Sequence, residues 1–143
     1  MAESESHEPL RQLRITRGDY RLTLDHLKNS YPHEGCGLMA GKDGRVLRIY
    51  TVDNRLASPS AYEMDPQQQL EAMLDIEEHG WDLLAIFHSH PSGPAAPSTV
   101  DLSTAYYPEA VYVIVSFVNP DRPVSKAFTL GEGRVEEIPL IFE

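Results

Sequence analysis

The stretch Leu83-Leu84-Ala85-Ile86-Phe87-His88-Ser89-His90 constrains this 143-residue chain more than any other. An unbroken apolar run of this length, bounded by Gly80 and Pro91, reads as a strand covered on both faces. A second run of the same kind, rich in β-branched residues, extends from Val111 to Val118. Strands buried on both sides need layers to bury them, and the remaining sequence supplies amphipathic helices. Thr16 followed by Asp19 opens one helix, with Tyr20, Leu24, Leu27 and Tyr31 at helical spacing and Pro32 as its stop. Asp65-Pro66 opens another, with Leu70, Met73 and Leu74 as its apolar stripe and Gly80 at its end. Shorter strands are expected at Leu13–Ile15, at Glu34–Gly41 and at Arg45–Val52, the last two joined by a turn at Lys42-Asp43-Gly44. Two further strands are expected at Val124–Leu130 and Arg134–Ile138, and a short helix from about Ser98. The fold class that follows is α/β: a single-domain α/β/α sandwich with a mixed central sheet. The site is expected at the C-terminal end of a central strand.

The run ends on two histidines at i and i+2, whose side chains leave a strand from the same face. Pro91-Ser92-Gly93-Pro94 then breaks the strand, and the loop can return Asp101 to the same point. Two imidazoles and a carboxylate are the ligand types of a zinc site whose fourth position is left for water, the arrangement of a catalytic rather than a structural ion. Such an ion needs a nearby carboxylate to take the proton from its water and pass it on. Glu34, at the head of a glycine-rich strand, is the candidate. Ser98 is a candidate donor to an oxyanion. Each also has a plainer reading. Ser98-Thr99-Val100-Asp101 is a capping box, a role compatible with facing a site. Glu34 alone is an ordinary strand-end acid, and a surface H-x-H pair needs no metal. Cys36 reads as a small buried apolar residue. His7 falls in a tail, His26 and His79 on helix surfaces, and His33 near enough to the site to support a ligand.

Composition narrows the partners. Twenty-two acidic against 12 basic side chains give a net charge of −10, which repels phosphate backbones and argues against nucleic acid. No apolar stretch approaches the ~18 residues of a membrane span. The acidic, polar start, residues 1–12, reads as a disordered tail without a signal peptide, ahead of one domain over 13–143. One cysteine allows no internal disulfide and points to a reducing cytoplasm.

Taken together, Glu34, His88-Ser89-His90-Pro91, Ser98 and Asp101 resemble the pattern of the JAMM (MPN+) metallopeptidases in residue type, order and spacing. The likeness runs from about Ile15 to Ile138 and includes Glu34-Gly35-Cys36-Gly37-Leu38 and the stretch from Tyr62 to Pro66. It implies a cytidine-deaminase-like α/β/α sandwich. It also implies one Zn²⁺ held by His88, His90 and Asp101, Glu34 as general base and acid, and Ser98 assisting the oxyanion. The compact size resembles the prokaryotic branch, whose members act on ubiquitin-like sulfur carriers ending in Gly-Gly. Some release cysteine from a carrier adduct, the type this layout is most similar to, and others detach carriers from protein lysines. A non-catalytic MPN-type binding scaffold and a zinc hydrolase of small amides stand as the alternatives. A homodimer is left open.

Overall fold

The computed structural model describes residues 10–143 except Tyr106, Pro108 and the side chain of Glu132, so the expected tail lies mostly outside the described residues, His7 with it. Among the described residues, eight strands and three α-helices follow in the order β1 (Leu13–Ile15), α1 (Arg17–Ser30), β2 (Cys36–Lys42), β3 (Arg45–Val52), α2 (Pro66–Glu78), β4 (Asp82–His90), α3 (Thr99–Ser103), β5 (Val111–Ser116), β6 (Val124–Thr129), β7 (Glu136–Ile138) and β8 (Leu140–Phe142). They form one mixed sheet in the order β7-β6-β5-β4-β2-β3-β1-β8. β4 runs parallel to β5 and antiparallel to β2. Among the described residues no helix is long and apolar enough to cross a membrane.

β8 is absent from the sequence reading. Only Pro139 separates it from β7, yet the two strands lie at opposite edges of the sheet. Proline cannot continue a ladder as a donor, so the segment leaves β6 at Pro139 and pairs with β1 instead. The Pro139 carbonyl accepts from the Leu13 amide at 3.0 Å. The sheet is thereby curled until its two edges are joined by a single residue, which leaves little free edge.

Two apolar layers cover the sheet. Leu13, Ile15, Leu27, Met39, Phe87, Val113 and Val115 form the layer beneath α1. Cys36, Leu38, Val52, Ala72, Ile86, Tyr112 and Ile114 form the layer beneath α2. The glycines of β2 follow from this packing. A Cβ at Gly37 would overlap the ring of Phe87 and the Tyr50 carbonyl, so the centre of the sheet closes only around glycine there. The hairpin from β2 to β3 turns at Asp43-Gly44, both at positive φ (53° and 77°), as a two-residue turn of this twist requires.

The helix starts match the sequence. Thr16 accepts from the Asp19 amide and Asp65 from the Gln68 amide. The expected stripe of α2 holds only at Met73, which packs partly buried against the core. Ala72 and Ile76 face the sheet, and Leu70 and Leu74 are more than half exposed. Asp75 fixes that rotation by accepting from the Tyr50 hydroxyl (2.6 Å) and from Arg48 (2.9 Å), both on β3.

Candidate metal centre

β4 places the pair of histidines. Ile86, His88 and His90 leave it on the side of the α2 layer, at the strand's C-terminal end, and His88 is completely buried. The Pro91–Pro97 loop then turns the chain into α3, a one-turn helix capped by Ser98. Ser98 Oγ accepts from the Asp101 amide (3.0 Å), while Asp101 Oδ2 accepts from the Ser98 amide (2.9 Å). The capping box is present, and it carries Asp101 to the histidines.

The three groups converge on one point. His88 Nε2 lies 3.1 Å from His90 Nε2 and 3.1 Å from Asp101 Oδ1, and His90 Nε2 lies 3.0 Å from Asp101 Oδ2. Tetrahedral Zn²⁺ with ~2.0–2.1 Å bonds would separate its ligand atoms by about 3.3 Å, so the spacing suits such an ion. Proton accounting favours a cation as well. His90 Nδ1–H donates to the Pro94 carbonyl at 2.7 Å, so Nε2 would offer a metal the lone pair of a neutral ring, and without metal it takes a proton to donate to Asp101. His88 has no such anchor. Its Nδ1 is buried without a partner, and the Tyr62 ring stacks on it instead, centroids 4.7 Å apart.

The electrostatics follow from burial and these contacts. Burial would raise the Asp101 carboxyl, but hydrogen bonds with both histidines outweigh it and hold the group well below its ordinary value. Burial lowers His88 below its ordinary value, against the opposing pull of Asp101. At His90 burial opposes charge, yet the Asp101 and Pro94 hydrogen bonds raise the ring above its ordinary value.

Glu34 lies beside this cluster. By continuation of the β2–β4 pairing, in which Cys36 faces His88, it falls opposite His90. It is 4 % exposed, and its Oε1 has no hydrogen-bond partner among the described residues. Burial lifts the carboxyl to about 7, with His90 lowering it and Asp101 raising it by smaller amounts. A carboxyl that titrates near neutrality can both accept and return a proton. Cys36 is fully buried, and burial with the nearby Asp53 and Glu34 charges pushes its thiol up to about 12, so it is no nucleophile.

The structure thus brings three of the five proposed site residues into one cluster, with Glu34 beside it and Ser98 hydrogen-bonded to Asp101 at its rim. His33 is exposed in the turn before Glu34. His26 is more than a surface residue, since its Nε2 lies within hydrogen-bond distance of the Cys36 and Val52 carbonyls and fastens α1 to the sheet. Tyr62, Asn54 and Ser89 were not singled out as site residues by the sequence. Ser89 had one available signal: between two inward-facing residues of a strand, its side chain must point to the other face.

Comparison with known proteins places the chain. Residues 17–130 match the family of prokaryotic homologues of the JAB domain. A probable TtuB-protein conjugate cleaving protease of Thermus thermophilus is 39 % identical over 130 residues, covering 90 % of this chain and 82 % of that protein. The CysO-cysteine peptidase of Mycobacterium tuberculosis is 33 % identical over 117 residues, 80 % of each chain. A Desulfitobacterium hafniense protein solved in solution superimposes with a TM-score of 0.83 at 37 % identity over 92 % of both chains. With this fold and these relatives, the chain belongs to the prokaryotic JAB-domain family, the compact branch of the JAMM peptidases.

Proposed function

We propose that the chain is a zinc peptidase that hydrolyses the amide bond after the C-terminal Gly-Gly of a ubiquitin-like sulfur carrier, releasing cysteine from a carrier–cysteine adduct. The observation that carries this reading is the convergence of His88, His90 and Asp101 on one point beside a buried, unpartnered Glu34 carboxyl. Detachment of carriers from protein lysines is the second reading, favoured by the 39 % identity to the Thermus protease. A cytoplasmic setting fits the single buried thiol.

His88, His90 and Asp101 would hold Zn²⁺, which supplies Lewis acidity to a water and to the scissile carbonyl. Glu34 takes the proton from the attacking water and returns it to the departing amine, tasks matched to a carboxyl titrating near 7. Ser98 Oγ is occupied as an acceptor by the Asp101 amide, and this leaves its own O–H free to donate to the oxyanion. A narrow glycine tail would lie in extended form along the 54–64 segment, which borders the cluster through Tyr62.

The test offers the zinc-loaded protein two carriers ending in Gly-Gly, one joined to cysteine and one to a protein lysine, with products read by mass spectrometry. Cleavage after the second glycine is expected, abolished in Glu34→Gln with zinc retained. Ser98→Ala should slow it by about 10²–10³-fold without releasing metal. Protein that takes up no zinc, or that processes neither carrier, would defeat the proposal. Hydrolysis of small amides alone would replace it with a different enzyme.

A further inference from the structure

Glu34 must be placed accurately, yet its Oε1 has no side-chain or backbone partner to hold it. Its position therefore depends on the backbone that carries it, and that backbone is gripped at four points. The Glu34 amide donates to the Ser58 carbonyl at 2.8 Å. The Glu34 carbonyl accepts from Asn54 Nδ2 at 3.0 Å. The Gly35 amide donates to Ser89 Oγ at 2.8 Å. The Gly35 carbonyl also accepts from the Ser89 amide at 3.1 Å, so two of the four grips come from the sheet. The other two come from the 54–64 segment between β3 and α2.

Asn54 stands at the neck of that segment, bridged to Met64. Its Oδ1 accepts from the amides of Leu56 and Glu63, each at 3.0 Å. Its Nδ2 donates to the carbonyls of Ala61 and Glu34, each at 3.0 Å. A carboxamide offers two donors and two acceptor lone pairs, so every valence of this side chain is used. Aspartate has no donors, serine is too short to reach across, and glutamine is a methylene too long. The same segment presents Tyr62 to the face of His88. One loop thus touches the proposed base through Asn54 and a proposed ligand through Tyr62.

We infer that Asn54 is a positioning residue: by joining the 54–64 loop to the strand end that bears Glu34, it makes the placement of the base depend on the conformation of the loop. Its kinetic consequence rests on the peptidase reading above, whereas the coupling itself can be measured without turnover. The test is Asn54→Asp in the full zinc-loaded chain. This variant keeps the acceptor for Leu56 and Glu63 and loses both donors. Amide hydrogen exchange at Glu34 should quicken about 10-fold or more, while Leu38 and Ile86 in the sheet keep their wild-type rates. With whichever carrier conjugate the wild type cleaves, kcat should fall about 10- to 100-fold with KM within about twofold and zinc content unchanged. A loop that only contacts substrate would raise KM and spare kcat, and that result overturns the inference, as does unaltered exchange at Glu34. If the wild type cleaves no conjugate, the peptidase reading fails and exchange alone decides. If Asn54→Asp does not fold, Asn54→Ser, which opens both sides to water, is read in the same way.

Discussion

The two faces of β4 differ in what their buried side chains do. On the α1 side Phe87 is wholly enclosed, its ring laid over Gly37 where any side chain would collide with it. One residue further, on the α2 side, His88 is equally enclosed yet has a buried Nδ1 without a partner and a second nitrogen 3.1 Å from another imidazole. Burial on the first face stabilises the fold. On the second it costs stability, because Glu34 Oε1 and His88 Nδ1 have left water without regaining a hydrogen bond. One strand thus couples a rigid packing face to a face kept polar and under-satisfied, as a site awaiting a cation would be.

The largest expected effect tests that contrast directly. Phe87→Ala should destabilise the metal-free protein by about 3–5 kcal/mol, the usual range for a buried aromatic removed from a core. His88→Ala removes a side chain that is equally buried, together with a ring nitrogen that has no partner among the described residues. Its loss should stay below about 2 kcal/mol under the same conditions. Urea unfolding of both variants in chelator gives the comparison. Equal losses would mean that His88 is an ordinary core residue and that the two faces do not differ.

A smaller effect sharpens the cost on the polar face. Burial lifts Glu34 from its ordinary 4.5 to about 7 in the folded chain. Below pH 4.5 the group is protonated whether folded or not, and no penalty applies. Between 4.5 and 7 the unfolded chain ionises first, so stability falls as pH rises, and above 7 the full penalty remains. After allowance for partial solvent screening this amounts to about 2 kcal/mol. Metal-free Glu34→Gln should therefore exceed the wild type in stability by that amount at pH 8 and match it at pH 4. A gap of the same size at both values would trace the effect to packing rather than charge.

Much of this was legible in the sequence, for local reasons. The apolar runs of β4 and β5, the caps at Thr16, Asp65 and Ser98, and the Asp43-Gly44 turn each carry their signal within a few residues. His88, His90 and Asp101 were legible because strand geometry and a short loop bring them together. What escaped depends on partners far along the chain. Gly35 and Ser89 are 54 residues apart, and Asn54 and Glu34 are 20 apart. The edge closure at Pro139 joins residues near the two ends of the described chain, and β8 alone is too short to announce itself.

The smallest expected effect concerns α2, where local periodicity selected Met73 correctly but also two leucines that lie outside the core. Leu70 and Leu74 are one turn apart, and so are Ala72 and Ile76, so the helix carries two i, i+4 pairs on different faces. Counting hydrophobicity selects the leucines, yet the Asp75 contacts with Arg48 and Tyr50 turn Ala72 and Ile76 inward. Leu74, 56 % exposed, should therefore tolerate Leu74→Gln with a change within about 0.5 kcal/mol. Ile76→Ala should cost about 2 kcal/mol or more, because Ile76 is 4 % exposed beneath the helix. If the leucine substitution proved the more damaging, the helix would be rotated in solution. Asp75 would then have to give up its β3 contacts, and the layer that encloses the polar face of β4 would be built from different residues.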